Sequence, residues 1–121
     1  MTKRILVVED HEDNRQILRD LLDHAGYDMV EAEDGEQALA AAARDRPDLI
    51  LLDIQLPLID GYEVTRRLKA DPVLKATPII VITSYALSGD EAKAYAAGCD
   101  TYISKPYDPN ALLEIIRRYL A

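Results

Sequence analysis

Five consecutive residues, Leu49-Ile50-Leu51-Leu52-Asp53, constrain the fold of this chain more than any other stretch. Four apolar side chains with no polar alternation read as a strand buried on both faces, as at the centre of a parallel sheet. The run ends in an acid, and Ile54-Gln55-Leu56-Pro57 follow. Ligands of open parallel sheets bind beyond the carboxyl ends of the strands, so Asp53 stands where chemistry is done. Taken alone, Asp53 reads equally well as the opening of a turn before Pro57. The other strand ends decide between the two.

Arg4 to Glu9 is a second apolar run, Ile5-Leu6-Val7-Val8, that also stops at acids, Glu9 and Asp10. Asp13 with Gln16 reads as a helix N-cap and capping-box partner, and Ile17, Leu18, Leu21, Leu22 and Ala25 form one apolar stripe closed by Gly26. Tyr27 to Ala32 is a weaker strand. Asp34-Gly35 turns into an alanine-rich helix from about Glu36 to Arg44, stopped by Pro47. After the central strand, Asp60-Gly61 leads into a helix from Tyr62 to Ala70, with Val64 and Leu68 inward and Arg66, Arg67 and Lys69 solvated. Ile79 to Ile82 is a fourth strand, ending in the hydroxyls Thr83-Ser84. A helix from Gly89 to Ala97 closes at Gly98, the strand Thr101-Tyr102-Ile103 reaches Ser104-Lys105-Pro106, and Asn110 to Leu120 forms the last helix.

Strands and helices thus alternate five times, which predicts an α/β fold with a parallel sheet covered by helices on both faces. The doubly wound, flavodoxin-like order 2-1-3-4-5 brings Glu9, Asp10 and Asp53 into one crevice, with Thr83 and Lys105 beside it. Residues 1–121 are expected to form one domain. With 14 basic and 22 acidic residues the net charge is −8, which argues against nucleic acid or an anionic membrane as a direct partner. The single Cys99 rules out an internal disulfide. No apolar run approaches the roughly 18 residues of a membrane span, and no cleavage-site pattern follows Met1, so a cytoplasmic location is expected.

Three clustered carboxylates repel one another unless a proton, a lysine or a hard cation compensates. Mg²⁺ suits such a site, because it takes one or two carboxylates and completes its shell with waters and phosphate oxygens. A carboxylate facing that ion can act as a nucleophile toward phosphorus, with a lysine and a hydroxyl binding the remaining phosphoryl oxygens. Each feature has a plainer reading: Glu9 and Asp10 as favourable charges at a helix N-terminus, Thr83 or Ser84 as a cap, Lys105 as a solvated side chain. Those readings do not predict their joint occurrence at the ends of four strands.

Val8-Glu9-Asp10, Leu52-Asp53 with Pro57 and Asp60-Gly61, Ile82-Thr83-Ser84 and Tyr102-Ile103-Ser104-Lys105-Pro106 together resemble a response-regulator receiver domain of two-component signalling, over essentially the whole chain. The resemblance implies that Asp53 is the phosphoacceptor. It implies that Glu9 and Asp10 hold Mg²⁺, with Mn²⁺ an alternative, together with Asp53 and the backbone carbonyl of Gln55. It also implies that Thr83 and Lys105 contact the phosphoryl group and that the Lys105-Pro106 bond is cis. A phosphoryl group adds about −1.5 to −2 charges and should draw the Thr83 hydroxyl inward. In receivers an aromatic at the place of Tyr102 then turns inward, and the face of helix 4, strand 5 and helix 5 changes shape. Here that face would carry Tyr85, Leu87, Tyr95, Tyr102 and Tyr107. Gln55 and Tyr85 stand where receivers tune the phosphoryl lifetime.

By the same resemblance the protein is a switch rather than an enzyme, catalysing only its own phosphotransfer and slow autodephosphorylation. A histidine kinase or histidine phosphotransfer protein is expected to dock around Asn14, Arg15 and Leu18 and on the Pro106-Tyr107 loop. A downstream effector protein or kinase would read the face of helix 4, strand 5 and helix 5, with the chain as a monomer or a phosphorylation-dependent dimer. Met1-Thr2-Lys3, Asp53 through Pro57, Gly89-Asp90-Glu91 and Gly98 through Pro106 are similar to the DivK type of cell-division regulator, and a stand-alone receiver is expected. Receivers of hybrid histidine kinases share much of this pattern, and a pseudo-receiver acting by binding alone is a further alternative. A flavodoxin-like cofactor binder would need a hydroxyl- or glycine-rich loop after strand 1, where this chain has Asp10-His11-Glu12-Asp13-Asn14. A phosphatase of the haloacid dehalogenase type would carry an Asp-x-Asp there. His11 and His24 read as surface residues without a ligand partner, and Cys99 as packing.

Overall fold

The computed structural model describes residues 2–84 and 89–121 of the chain. Its elements run β1 (Arg4–Val8), α1 (Glu12–His24), β2 (Asp28–Ala32), α2 (Gly35–Asp45), β3 (Leu49–Leu52), α3 (Gly61–Ala70), β4 (Ile79–Thr83), α4 (Asp90–Ala97), β5 (Thr101–Ser104) and α5 (Pro109–Leu120). The strands pair in parallel in the order β2-β1-β3-β4-β5, as the alternation of elements predicts. Tyr85 and Leu87, read above as lifetime-tuning and docking residues, lie outside the described residues.

Successive strand residues face opposite sides, and in the three central strands both sides are apolar. Leu6, Val8, Ile50, Leu52, Ile79 and Val81 meet the alanines of α2, Val64 and Leu68 of α3 and Ala94 of α4. Ile5, Val7, Leu49, Leu51, Ile80 and Ile82 meet Leu18 and Leu22 of α1 and Leu112, Leu113 and Ile116 of α5. Each fully buried Leu, Ile or Val side chain contributes about 1.5–3 kcal/mol relative to exposure. Those two layers fix the strands in register, and the register fixes the strand ends.

Three local readings are corrected. The N-cap of α1 is His11, with extended φ and ψ and no side-chain cap bond, whereas Asp13 lies inside the first turn. The helix starts earlier because the Arg15 N–H already donates to the His11 carbonyl at 3.1 Å; Gln16 bonds Asp20 instead of serving a cap. Ile17 does not join the inward stripe and is 57% exposed, its place toward the sheet being taken by Arg15, which is 5% exposed. Lys69 is half-buried rather than solvated: its Nζ donates to the Thr77 carbonyl and to Asp100 Oδ2, both at 2.9 Å. Asp100 Oδ2 also accepts the Ile79 N–H at 2.8 Å, so Lys69 braces the starts of β4 and β5.

Candidate functional site

The strand ladders continue past the strand ends and set the site residues side by side. Asp53 N–H donates to the Val8 carbonyl at 3.0 Å, Glu9 N–H to the Ala32 carbonyl at 3.0 Å, and Lys105 N–H to the Thr83 carbonyl at 2.8 Å. Neighbouring parallel strands therefore deliver Glu9 beside Asp53 and Lys105 beside Thr83. Glu9, Asp53 and Thr83 are 3%, 6% and 0% exposed.

Both carboxylate oxygens of Asp53 are engaged. Oδ1 accepts the Gln55 N–H at 3.0 Å, an Asx-turn that shapes the loop after β3, and Oδ2 accepts Lys105 Nζ at 3.2 Å. The same ammonium lies 3.6 Å from Glu9 Oε2, and Asn14 Nδ2 donates to Glu9 Oε1 at 2.7 Å. Burial and a hydrogen bond with Asp53 push the Glu9 carboxyl up to about 7 against the pull of Asn14 and Lys105. One lysine thus faces two buried carboxyls, a deficit of positive charge that favours the protonated form of Glu9. The Lys105-Pro106 peptide is cis.

Asp10 sits at the rim, its side chain 30% exposed and 3.7 Å from His11 Nε2. Ligand atoms of Glu9, Asp10 and His11 lie within 4.8 Å of one another, so His11, exposed as expected, does have acidic neighbours, contrary to the reading of it as without a ligand partner. Hard anionic oxygens with a deficit of positive charge fit a hard divalent cation such as Mg²⁺. Gln55 is exposed and lines an open groove with Asp10, Asp60, Tyr62 and Lys93. Across it the Tyr62 hydroxyl donates to Asp90 Oδ1 at 3.2 Å, and burial, with this bond, pushes the phenol up to about 12.

On the other side, a cavity of about 320 Å³ is bounded by Glu9, Asn14, Ile17, Lys105, Pro106 and Tyr107. Of the three α1 residues expected to dock a partner, Asn14 and Leu18 line this cavity and Arg15 does not. Arg15 and Leu18 are buried, and the exposed apolar side chain of that turn is Ile17. Tyr107 packs with the α1 and α5 layer and lines this cavity, which suits the expected docking loop rather than the face of α4, β5 and α5, whereas Tyr102 packs with the opposite layer. Tyr95 is 45% exposed, and its hydroxyl accepts the Tyr102 N–H at 3.2 Å along edge strand β5. Burial pushes the Cys99 thiol up to about 11, as suits a packing residue. Sequence reasoning missed that Asn14 serves Glu9. Its place in the first turn after an acidic loop was the available signal.

The family model described as the response regulator receiver domain matches residues 5–117. The polar-differentiation response regulator DivK of Brucella ovis is 44% identical over 120 residues, covering 99% of this chain and 98% of that protein, and DivK of Brucella anthropi matches equally. Among solved structures, the receiver domain of a sensor histidine kinase from Pseudomonas aeruginosa PAO1, with a magnesium ion coordinated in the active site cleft, superposes with a TM-score of 0.92. It is 37% identical, over 99% of this chain and 98% of that one. The chemotaxis protein CheY4 of Vibrio cholerae gives a TM-score of 0.91 at 30% identity, over 98% and 99% of the two chains. With acids, hydroxyl and lysine gathered at the ends of a 2-1-3-4-5 sheet, these likenesses show that the chain belongs to the response-regulator receiver domain family of two-component signalling proteins.

Proposed function

We propose that this receiver is a phospho-accepting switch in which Asp53 takes a phosphoryl group from a phosphohistidine donor. The observation that carries the reading is the 3.2 Å contact between Lys105 Nζ and Asp53 Oδ2 beside the buried Glu9, in a crevice at the sheet's switch point. An Asp53 oxygen attacks phosphorus, the P–N bond breaks, and its electron pair returns to the donor imidazole, leaving an aspartyl phosphate. Glu9, Asp10 and the Gln55 carbonyl would hold Mg²⁺ or Mn²⁺, which when bound neutralises charge on the transferring oxygens. Lys105 balances the remaining charge and Thr83 binds a phosphoryl oxygen.

Movement of Thr83 toward the phosphoryl group and a turn of Tyr102 would reshape the face of α4, β5 and α5 for an effector. The phosphodonor is a histidine kinase or phosphotransfer protein in the cytoplasm, approaching by the cavity flanked by Ile17 and Tyr107. The relatives named polar-differentiation response regulators extend this to a role in polar differentiation.

Intact-mass analysis after incubation with a small phosphodonor, with and without Mg²⁺, tests the reading. A metal-dependent gain of one phosphoryl group, lost in Asp53→Asn, is expected. No gain from either a small donor or a phosphorylated histidine kinase, by a folded protein, would overturn it.

A further inference from the structure

Arg15 is a buried guanidinium that the proposed chemistry does not use. Its Nη1 donates to the Glu9 backbone carbonyl at 2.7 Å in the interior. The rest of the fork faces three carboxylates from three parts of the chain: Glu12 in α1 at 2.5 Å, Glu31 in β2 at 3.2 Å and Glu33 after β2 at 3.1 Å. Arg19 lies outside it and shares Glu12 and Glu31. The carboxylates hold the guanidinium in one orientation, and that orientation presents Nη1 to Glu9. A planar fork with five donors can meet four acceptors at once; an ammonium cannot.

Glu9 is the residue at which β1 turns away from the sheet. Its N–H is held by Ala32 and its carboxyl by Asn14, and Arg15 holds the carbonyl that opens the Glu9-Asp10 peptide. That peptide plane sets the directions in which both acids leave the backbone. We propose that Arg15 is a positioning residue for the divalent-cation site, fixing the Glu9-Asp10 peptide so that both carboxylates face one ion. The inference rests on the reading of that site as the metal site of a phospho-accepting switch.

Groups that orient metal ligands are commonly worth about 10-fold to 100-fold in metal affinity. Amide chemical-shift titration of the protein with Mg²⁺ alone gives the affinity without any phosphotransfer. Arg15→Ala should weaken Mg²⁺ binding about 10-fold or more. Arg15→Lys, which keeps the charge, should shift it in the same direction. Arg19→Ala, which breaks only the outer part of the network, should leave it unchanged. In phosphorylation, the Arg15 variants should need more Mg²⁺ for half-maximal rate and recover the wild-type rate at saturating Mg²⁺, which a merely structural defect would not do. Unchanged Mg²⁺ affinity in Arg15→Lys and in any folded Arg15→Ala, or a lowered rate that added Mg²⁺ does not restore, would overturn the inference. Failure of wild type to bind Mg²⁺ or to gain a phosphoryl group would instead overturn the reading on which it rests.

Discussion

The Lys105 ammonium lies 3.2 Å from Asp53 Oδ2, across the gap between β5 and β3 that β4 spans. It reaches Asp53 because its own N–H continues the β4–β5 ladder at Thr83. The pair ties an edge strand to the sheet centre through the site, so it bears on stability as well as chemistry.

Lys105→Met keeps much of the aliphatic stem and removes the charge. Loss of a hydrogen bond to a charged group predicts a destabilisation of about 1–3 kcal/mol at pH 8, read by urea unfolding without divalent cations. The loss should shrink at pH 6, where Glu9 carries its proton. Phosphoryl gain should slow at both pH values. Equal stability of mutant and wild type at pH 8 would show that the ion pair is energetically idle.

Glu9 gives the stability curve a defined slope. Its folded carboxyl is raised from 4.5 to about 7, so between those values the folded state binds a proton that the unfolded state has released. Its contribution to stability therefore falls as pH rises from about 4.5 to about 7 and is level above. Glu9→Gln should gain on wild type across that window by on the order of 3 kcal/mol in metal-free buffer. Mg²⁺ should reduce the difference by replacing the proton as compensation. Parallel stability curves for the two proteins between pH 5 and 8 would refute the assignment.

Gly61 packs where no side chain fits. A Cβ there would stand 2.5 Å from the Asp53 carbonyl oxygen and 2.6 Å from the Ile54 Cα, both backbone atoms that cannot step aside. Gly61→Ala should cost about 1–3 kcal/mol, and by shifting the Asp53 peptide it should also slow phosphoryl gain. Full stability with full activity would mean that the loop after β3 yields more easily than its packing implies.

The Tyr62 hydroxyl bridges α3 to the start of α4 at Asp90, which is 6% exposed. Tyr62→Phe should lose about 1 kcal/mol. In ultraviolet pH titration, the mutation should remove a phenol that ionises near pH 12, above the ordinary value of 10.0. Removal of a phenol titrating near 10 would show that the contact is not kept in solution.

The sequence by itself determined the order of elements and the identity of the strand-end residues. Apolar runs such as Leu49 to Leu52 and Ile79 to Ile82 announce doubly buried strands, and the residues that end them follow by counting. Their number and alternation leave few topologies, and the right-handed crossover narrows these further. Tertiary structure alone decided what depends on neighbours distant in the chain. Arg15 lies inward and Ile17 outward because Glu31 and Glu33, on and after another strand, offer the guanidinium partners that no local pattern reveals. Tyr102 and Tyr107 fall on opposite sides of the sheet because β5 and the following loop direct them there. The Glu9 carboxyl is pushed up because burial and Asp53 act together on it, and both are properties of the packed site rather than of the residue.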